Sequence, residues 1–142
     1  MENNNVNLFT PEEKSGFKYW FAHFCAYNMV ALNLKCWKWK YLLHDIEKPW
    51  LKLLWGDYQK VREWHRKNNR HHLTYKNPNK IDWEAMILDW ECSRFTKQDS
   101  PKTARQMYEY FITVRYERGD ISEEMKNKMV ENIPPILEKL NL

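Results

Sequence analysis

Residues 19–34 read YWFAHFCAYNMVALNL, and they form the most apolar stretch of the chain. The stretch is too short and too polar to span a bilayer, because His23, Asn28 and Asn33 lie within it. A helix that is apolar on most sides is typical of the interior of a protein. The stretch therefore predicts a helix buried in the core of a soluble domain, and it places a histidine in that core.

Signals that begin and end helices continue on both sides of this stretch. Thr10, Pro11 and Glu13 combine an N-cap, a proline at the first helical position and a capping-box glutamate. The first predicted helix covers residues 11–34, a second begins at Cys36, and a third covers 49–67 with Gly56 as a candidate break. A fourth covers 82–95 with Asp82 as its N-cap, and a fifth covers 101–119, with Ser100-Pro101 at its start and Gly119 at its end. A sixth begins at Ser122, and a short last helix follows Pro134-Pro135.

No run of residues alternates between apolar and polar as an exposed strand would, and residues 68–80 indicate a loop. We therefore predict an all-α fold, a single compact helical domain of six or seven helices over residues 1–142. Residues 1–9 are expected to be flexible. The helices of residues 120–142 are expected to pack on the domain or on a second copy of the chain in a homodimer.

Composition narrows the classes of function. The chain has 142 residues, of which 43% are hydrophobic and eight are Trp, enough for a real core. Only three glycines argue against a glycine-rich phosphate loop or a dinucleotide-binding fold. The net charge of +4 suits an anionic substrate and is weak evidence for a dedicated nucleic-acid binder. The three cysteines are widely spaced, which favours reduced thiols and a cytoplasmic protein.

Five histidines fall in the first half of the chain and none in the last seventy residues. Neutral imidazole is the commonest protein ligand for transition metals, and carboxylates complete such sites. The first informative segment is HDIEK at residues 44–48, an adjacent His-Asp pair that we expect on a helix, about 100° apart, with Glu47 returning to the side of His44. The histidines are His23, His44, His65, His71 and His72.

The second informative segment is WHRKNNRHH at residues 64–72, where three imidazoles stand among cationic side chains. Cations beside metal ligands make sense when an anionic ligand such as phosphate also binds there. Asp89 follows in a mostly apolar stretch, and a carboxylate buried there needs a partner such as a metal ion.

Each of these residues also has a structural interpretation. His23 alone is typical of a core histidine with its hydrogen bonds satisfied. Asp45 fits a surface ion pair with Lys48, and Asp89 fits one with Arg94 or Lys97. The basic run fits a solvated helix face.

The order of the residues resembles the HD-domain superfamily of metal-dependent phosphohydrolases. The pattern of that family is a helical histidine, an adjacent His-Asp pair and a distant aspartate on an all-α fold, and His23, His44-Asp45 and Asp89 stand in that order. HDIEK is similar to the family's HDxxK variant. WHRKNNRHH is similar to the HHxxxNPHH-like run of small uncharacterised HD-like proteins of phages and bacteria, from which Trp64 and Arg70 depart.

This resemblance implies one or two divalent ions, with Mn, Fe, Co, Ni, Zn and Mg all compatible. It implies hydrolysis of a nucleotide or related phosphate ester by a metal-activated water. Asp45 and Glu47 are the expected catalytic residues, Glu47 as general base or water-orienting carboxylate with a raised pKa. The expected metal ligands are His23, His44, Asp45, His65, His71 and Asp89, and the expected substrate-binding residues are Lys48, Arg66, Arg70 and His72. Whether His71 or His72 faces the site stays open.

Two other functions are compatible with the sequence. An HD-like module that has lost catalysis would bind a nucleotide or a partner protein. A small nucleic-acid-binding or phage assembly protein ranks last, because that function has no use for the clustered histidines. We expect no membrane partner, and a location in the cytoplasm, which is the host cytoplasm if a phage encodes the chain.

Overall fold

The computed structural model describes residues 16–72, 77–96 and 102–142, and over these ranges the chain is all-helical without a strand. The predicted all-α fold is confirmed. The helices are α1 (Phe17–Asn33), α2 (Glu47–Trp55), α3 (Tyr58–Asn68), α4 (Lys80–Thr96), α5 (Ala104–Tyr110) and α6 (Glu123–Leu140), with a 3-10 turn at Trp39–Leu43 and a π-helical stretch at Phe111–Arg115.

The helix α4 is the centre of the domain, and most of its residues are buried. One face carries Trp83, Ile87 and Trp90, which pack with α5 and α6. The other face carries Leu88, Asp89 and Cys92, and it turns towards α1. An apolar face on each side is why this helix is buried in the middle of the domain. It also means that a polar residue on the α1 side, such as Asp89, points into the interior.

The last helix differs from its prediction. Pro134 and Pro135 lie inside α6 and do not separate two helices. Each proline removes one backbone hydrogen bond from the helix, a cost that helix interiors rarely tolerate. Here the flanking residues Ile133, Ile136 and Leu137 are buried against the core, and this burial holds the two halves in one helix. The predicted short last helix is therefore wrong.

The start of α4 also differs from its prediction. Asn79, not Asp82, caps it: the Asn79 side chain accepts hydrogen bonds from the backbone N–H groups of Ile81 and Asp82, each at 3.0 Å. Asp82 reciprocates by accepting the Asn79 N–H at 2.8 Å. The expected helix after Cys36 is only the short 3-10 turn. The predicted break at Gly56 is confirmed, because Gly56 adopts a φ of 67° between α2 and α3.

The predicted helix start at Thr10-Pro11, the flexible residues 1–9 and the predicted start at Ser100-Pro101 lie outside the described residues. The helix after them is capped by Thr103 through a capping box with Gln106. Its predicted end is confirmed, because Gly119 has a φ of 76° in the turn that follows. Within the described ranges, no helix combines the length and the apolar character that crossing a membrane would require.

Candidate metal centre

Four structural elements bring the predicted ligands together in the interior. His23 comes from α1, His65 from α3 and Asp89 from α4. The His44-Asp45 pair lies between the 3-10 turn and α2, and His71 and His72 follow α3. All are buried except His72 and Asp89, which are partly exposed. Residues up to 66 positions apart in the sequence thus share one buried polar cluster.

The His-Asp pair is not helical, contrary to prediction. His44 is extended, with ψ at 121°, and Asp45 has a φ of 58°, in the left-handed region. A non-glycine residue in that region costs about 1–2 kcal/mol, and such strain concentrates at functional sites. The Trp20 indole N–H donates to the Asp45 carbonyl at 2.8 Å and holds this turn. The consequence is that both side chains face the same interior space, where a helix would have separated them by about 100°.

One oxygen of Asp45 faces the α1 side of the cluster. Its Oδ2 lies 3.5 Å from His44 Nε2 and 3.8 Å from His23 Nε2. Asp89 Oδ1 approaches the same two nitrogens, at 3.0 Å from His23 and 3.7 Å from His44. Two imidazoles and two carboxylates therefore converge here, and we call these four residues the α1-side set.

The other oxygen of Asp45 faces α3. Its Oδ1 lies 3.0 Å from His65 Nε2 and 3.7 Å from His71 Nε2. His72 belongs to the same group, because one ligand nitrogen of each of His65, His71 and His72 lies within 4.8 Å of the others. We call Asp45 and these three histidines the α3-side set. The two oxygens of one carboxylate thus connect two groups of potential ligands.

These separations suit metal coordination. Nitrogen and oxygen ligands at about 2.0–2.2 Å from one ion lie about 3.0–3.5 Å from each other at right or tetrahedral angles. Five buried side-chain atoms of this cluster lack a well-aligned hydrogen bond among the described residues, although two of them, Asp45 Oδ1 and His65 Nε2, lie 3.0 Å apart. Leaving a buried polar group unsatisfied costs about 1–3 kcal/mol, and cations bound to the two sets would interact with these five atoms. The five are His44 Nε2, Asp45 Oδ1, His65 Nε2, His71 Nε2 and His72 Nε2.

Most of the imidazoles whose pKa departs from its usual value are biased towards the neutral form, which binds metal. Burial lowers the pKa of His23 more than the nearby Asp89 carboxylate raises it. Burial and the neighbouring His44 hold the pKa of His71 well below its usual range. Burial also lowers the pKa of His72, to about 4.

The Asp45 carboxyl group is ionised. Burial by itself would raise its pKa, but His44, Lys48 and His65 together hold the pKa well below its usual range. A carboxylate that is 2% exposed is thus kept charged by the groups around it. Ionised carboxylate and neutral imidazole are the forms that coordinate a divalent ion.

Glu47 orients His65. Its Oε1 accepts a hydrogen bond from His65 Nδ1 and another from Asn69 Nδ2, the latter at 3.1 Å. Burial would raise the pKa of Glu47, but the His65 contact lowers it, so the expected carboxylate of raised pKa is wrong. The same contact, with that of Asp45, raises the pKa of His65 against the effect of burial. A carboxylate on Nδ1 fixes the ring and directs Nε2 towards a metal.

The predicted phosphate-binding cations lie in three different places. Lys48 reaches the centre, where its Nζ pairs with Asp45 Oδ2. Burial lowers the pKa of Lys48, but Asp45 outweighs that effect and raises it. Arg70 pairs with Asp82, with Nε at 3.1 Å from Oδ2. Arg66 is exposed on α3 and does not line the cleft described next.

A cleft of about 420 Å³ leads from the surface to His44, Glu47 and His71. Its lining also includes the cations Lys40 and Arg70 and the carboxylate of Asp82, which pairs with Arg70. Asn68, Asn69, Tyr27 and Trp64 complete much of the wall. A small molecule can therefore reach one side of the candidate metal centre from solvent.

Sequence reasoning missed three contributors. Tyr27 stacks on the His44 ring with centroids 3.8 Å apart and planes at 10°. Cys92 Sγ lies 3.7 Å from His23 Nδ1, on the opposite side of that ring from Asp89. Asn69 supports Glu47. Only Cys92 carried a signal, since it stands three residues after Asp89 and so shares its helix face. Of the two suggested partners of Asp89, Arg94 pairs with Glu91, and Lys97 lies outside the described residues.

Comparison of the chain with protein-family models, curated proteins and solved structures finds no match. The relation to HD-domain proteins therefore remains the resemblance in the order of the ligands. The observation that supports a function is the geometry of the cluster itself.

Proposed function

We propose that this protein is a metal-dependent phosphohydrolase that acts on a nucleotide or related phosphate ester. The observation that carries the proposal is the Asp45 carboxylate, whose two oxygens face two separate sets of buried imidazoles. His23, His44, Asp45 and Asp89 would hold one divalent ion, and Asp45, His65, His71 and His72 a second. When bound, such ions lower the pKa of a water and neutralise charge on a phosphoryl oxygen.

The protein residues supply position and charge around this chemistry. Glu47 is a positioning residue, because it holds the His65 ring through Nδ1 and has a lowered pKa that disfavours proton abstraction near neutral pH. Arg70 and Lys40 at the cleft give a phosphate group its opposite charge. Tyr27 fixes the plane of the His44 ring by stacking.

Metal analysis of the full chain, purified without a histidine tag or chelator, tests the proposal. We expect about two divalent ions per chain, and loss of most of both in Asp45→Asn. Asp82→Asn is the matched control for metal content only, since Asp82 is also buried and lies outside both sets but holds Arg70 at the cleft. Turnover of p-nitrophenyl phosphate and nucleotides with Mn²⁺, Co²⁺ or Mg²⁺ should follow the metal content. Stoichiometric metal without any turnover would overturn the hydrolase proposal and leave a metal-binding module.

One contact favours a second candidate. Lys48 already places an ammonium group against Asp45 Oδ2, so a fixed cation can neutralise that carboxylate without a metal. A module of this kind would bind a nucleotide or a partner protein and perform no catalysis. It predicts that wild type and Asp45→Asn both lack metal after incubation with Mn²⁺ or Fe²⁺.

A further inference from the structure

A second concave surface lies beside the cleft and has no part in the proposed function so far. It has a volume of about 480 Å³ and is formed by α3 together with the end of α2. Four of its residues lie on α3 at positions 60, 63, 64 and 67, so each has a neighbour three or four residues away and together they form one stripe along that helix. We call it the tryptophan groove, and its residues are Trp55, Lys60, Glu63, Trp64 and Lys67.

The two indoles of the groove provide an exposed aromatic surface. Trp55 and Trp64 are in edge-to-face contact, with ring centroids 6.2 Å apart, and each is 42% exposed. The contact between the rings holds each of them in place, while a large part of each stays open to solvent. Exposed indole faces of this kind are where nucleobases stack, and every base offers a face for such stacking.

The charges of the groove suit phosphates on either side of a stacked base. Lys60 and Lys67 lie about one turn before and after Trp64, about 10 Å apart along the helix axis. The one acidic group in the groove, Glu63, accepts a hydrogen bond from Gln59 Nε2 at 2.8 Å. A single strand presents one phosphate on each side of each base, whereas in a duplex the base faces are covered by their neighbours.

The groove adjoins the cleft through one shared residue. Trp64 lines both the groove and the cleft. The next residue, His65, is buried, and its Nε2 lies 3.0 Å from Asp45 Oδ1. A strand with one base on Trp64 would therefore run beside the cleft.

We propose that the tryptophan groove binds a single-stranded oligonucleotide and presents the adjacent phosphodiester to the metal centre. Binding stands on the groove alone, and hydrolysis rests on the proposed function. In that step water adds its oxygen to phosphorus, the bond from phosphorus to one ester oxygen breaks, and the leaving oxygen takes a proton. The products are a phosphate monoester and a free hydroxyl group. In this proposal nucleic acid is the substrate of the metal centre, so nucleic-acid binding and hydrolysis are parts of one function.

Anisotropy of a labelled 12-nucleotide oligo(dT), titrated with the full chain in EDTA, tests binding without any metal chemistry. Wild type should bind with an affinity that falls as salt rises. Trp64→Leu should weaken binding about tenfold, and Trp64→Phe should restore most of it, because phenyl also stacks. Trp39→Leu, at a 70% exposed indole outside the groove, is the matched control and should bind like wild type.

The charges are tested in the same way. Lys60→Glu should weaken binding and reduce its salt dependence, while Lys139→Glu, on α6, should do neither. Equal binding of oligo(dT) and an abasic 12-mer, or equal losses in Trp64→Leu and Trp39→Leu, would overturn the proposal. Hydrolysis of bis(p-nitrophenyl) phosphate with added Mn²⁺ reports on the metal centre separately. Binding without hydrolysis keeps the groove and refutes phosphodiester cleavage at the metal centre, and hydrolysis with base-independent binding does the reverse.

Discussion

The two faces of α4 bury opposite kinds of side chain, apolar on one and polar on the other. The α6 face buries Trp83, Ile87 and Trp90 against apolar neighbours, and its stability comes from packing. The α1 face buries Asp89 beside His23, and five further residues of the cluster add buried polar atoms without a well-aligned hydrogen bond among the described residues. Buried polar groups without a hydrogen bond destabilise a fold unless a bound ion or ligand interacts with them. One face of α4 therefore stabilises the domain by apolar packing, whereas the other face holds a buried polar cluster that packing alone does not stabilise.

Breaking the apolar face should have the largest effect. Leu137 is fully buried between α6 and α4. Leu137→Ala should lower the free energy of unfolding by about 3 kcal/mol, from lost burial and the remaining cavity. Leu54→Ala, at a site that is 76% exposed, should change it by less than about 0.5 kcal/mol. Urea denaturation measures both variants, and equal losses would mean that α6 does not hold the core.

Binding of a metal ion at the polar face should stabilise the domain by nearly as much as Leu137→Ala destabilises it. A divalent ion at one hundred times its dissociation constant should raise the free energy of unfolding by about 2.7 kcal/mol, because it binds only the folded chain. Mn²⁺ and Zn²⁺ titrations of the thermal midpoint measure this gain. It should disappear in Asp45→Asn and persist in Asp82→Asn. An equal gain in all three proteins would place the ion elsewhere.

Loosening the polar face without removing a ligand should have a smaller effect. Glu47→Gln keeps the size of the side chain and weakens its hold on His65 Nδ1. Loss of such an orienting carboxylate lowers metal affinity about 10- to 100-fold. Competition with a fluorescent chelator measures the affinity, and Glu63→Gln, on the outside of α3, is the control. An unchanged affinity would show that Glu47 does not position a ligand.

The smallest effect is expected at the border between the two faces, where Glu84 accepts hydrogen bonds from Lys38 and Tyr41. Burial would raise the pKa of Glu84, but Lys38 and Tyr41 lower it. Its stabilisation is therefore present above about pH 4.3, the usual glutamate pKa, and is lost as the pH falls through the lower folded value.

The free energy of unfolding, measured as the pH is lowered, tests the contribution of Glu84. Glu84→Gln should flatten the decline of stability below about pH 4.3, with an effect on the order of 1 kcal/mol. Glu138→Gln, at an exposed position on α6, should leave the decline as it is in wild type. A decline of the same slope in all three proteins would show that Glu84 makes no difference to acid stability.

The sequence by itself determined the helical class, because caps, prolines and apolar spacing are local signals. It also singled out His23, the His44-Asp45 pair, His65, His71 and Asp89 as residues that belong together. Local signals failed where distant packing decided the outcome. The break expected at Pro134-Pro135 does not occur, since burial of the flanking residues outweighs two lost hydrogen bonds.

Only the tertiary structure decided how the candidate ligands meet. The left-handed turn at Asp45 depends on the indole of Trp20, 25 residues earlier, and no local pattern reveals that contact. The role of Glu47 depends on His65 reaching it from another helix, which lowers the pKa that sequence reasoning expected to be raised. The sequence specifies which side chains are present. Hydrogen bonds and burial between distant segments set the protonation state and the orientation of each side chain. The physical reason is that both depend on neighbours in space rather than in sequence.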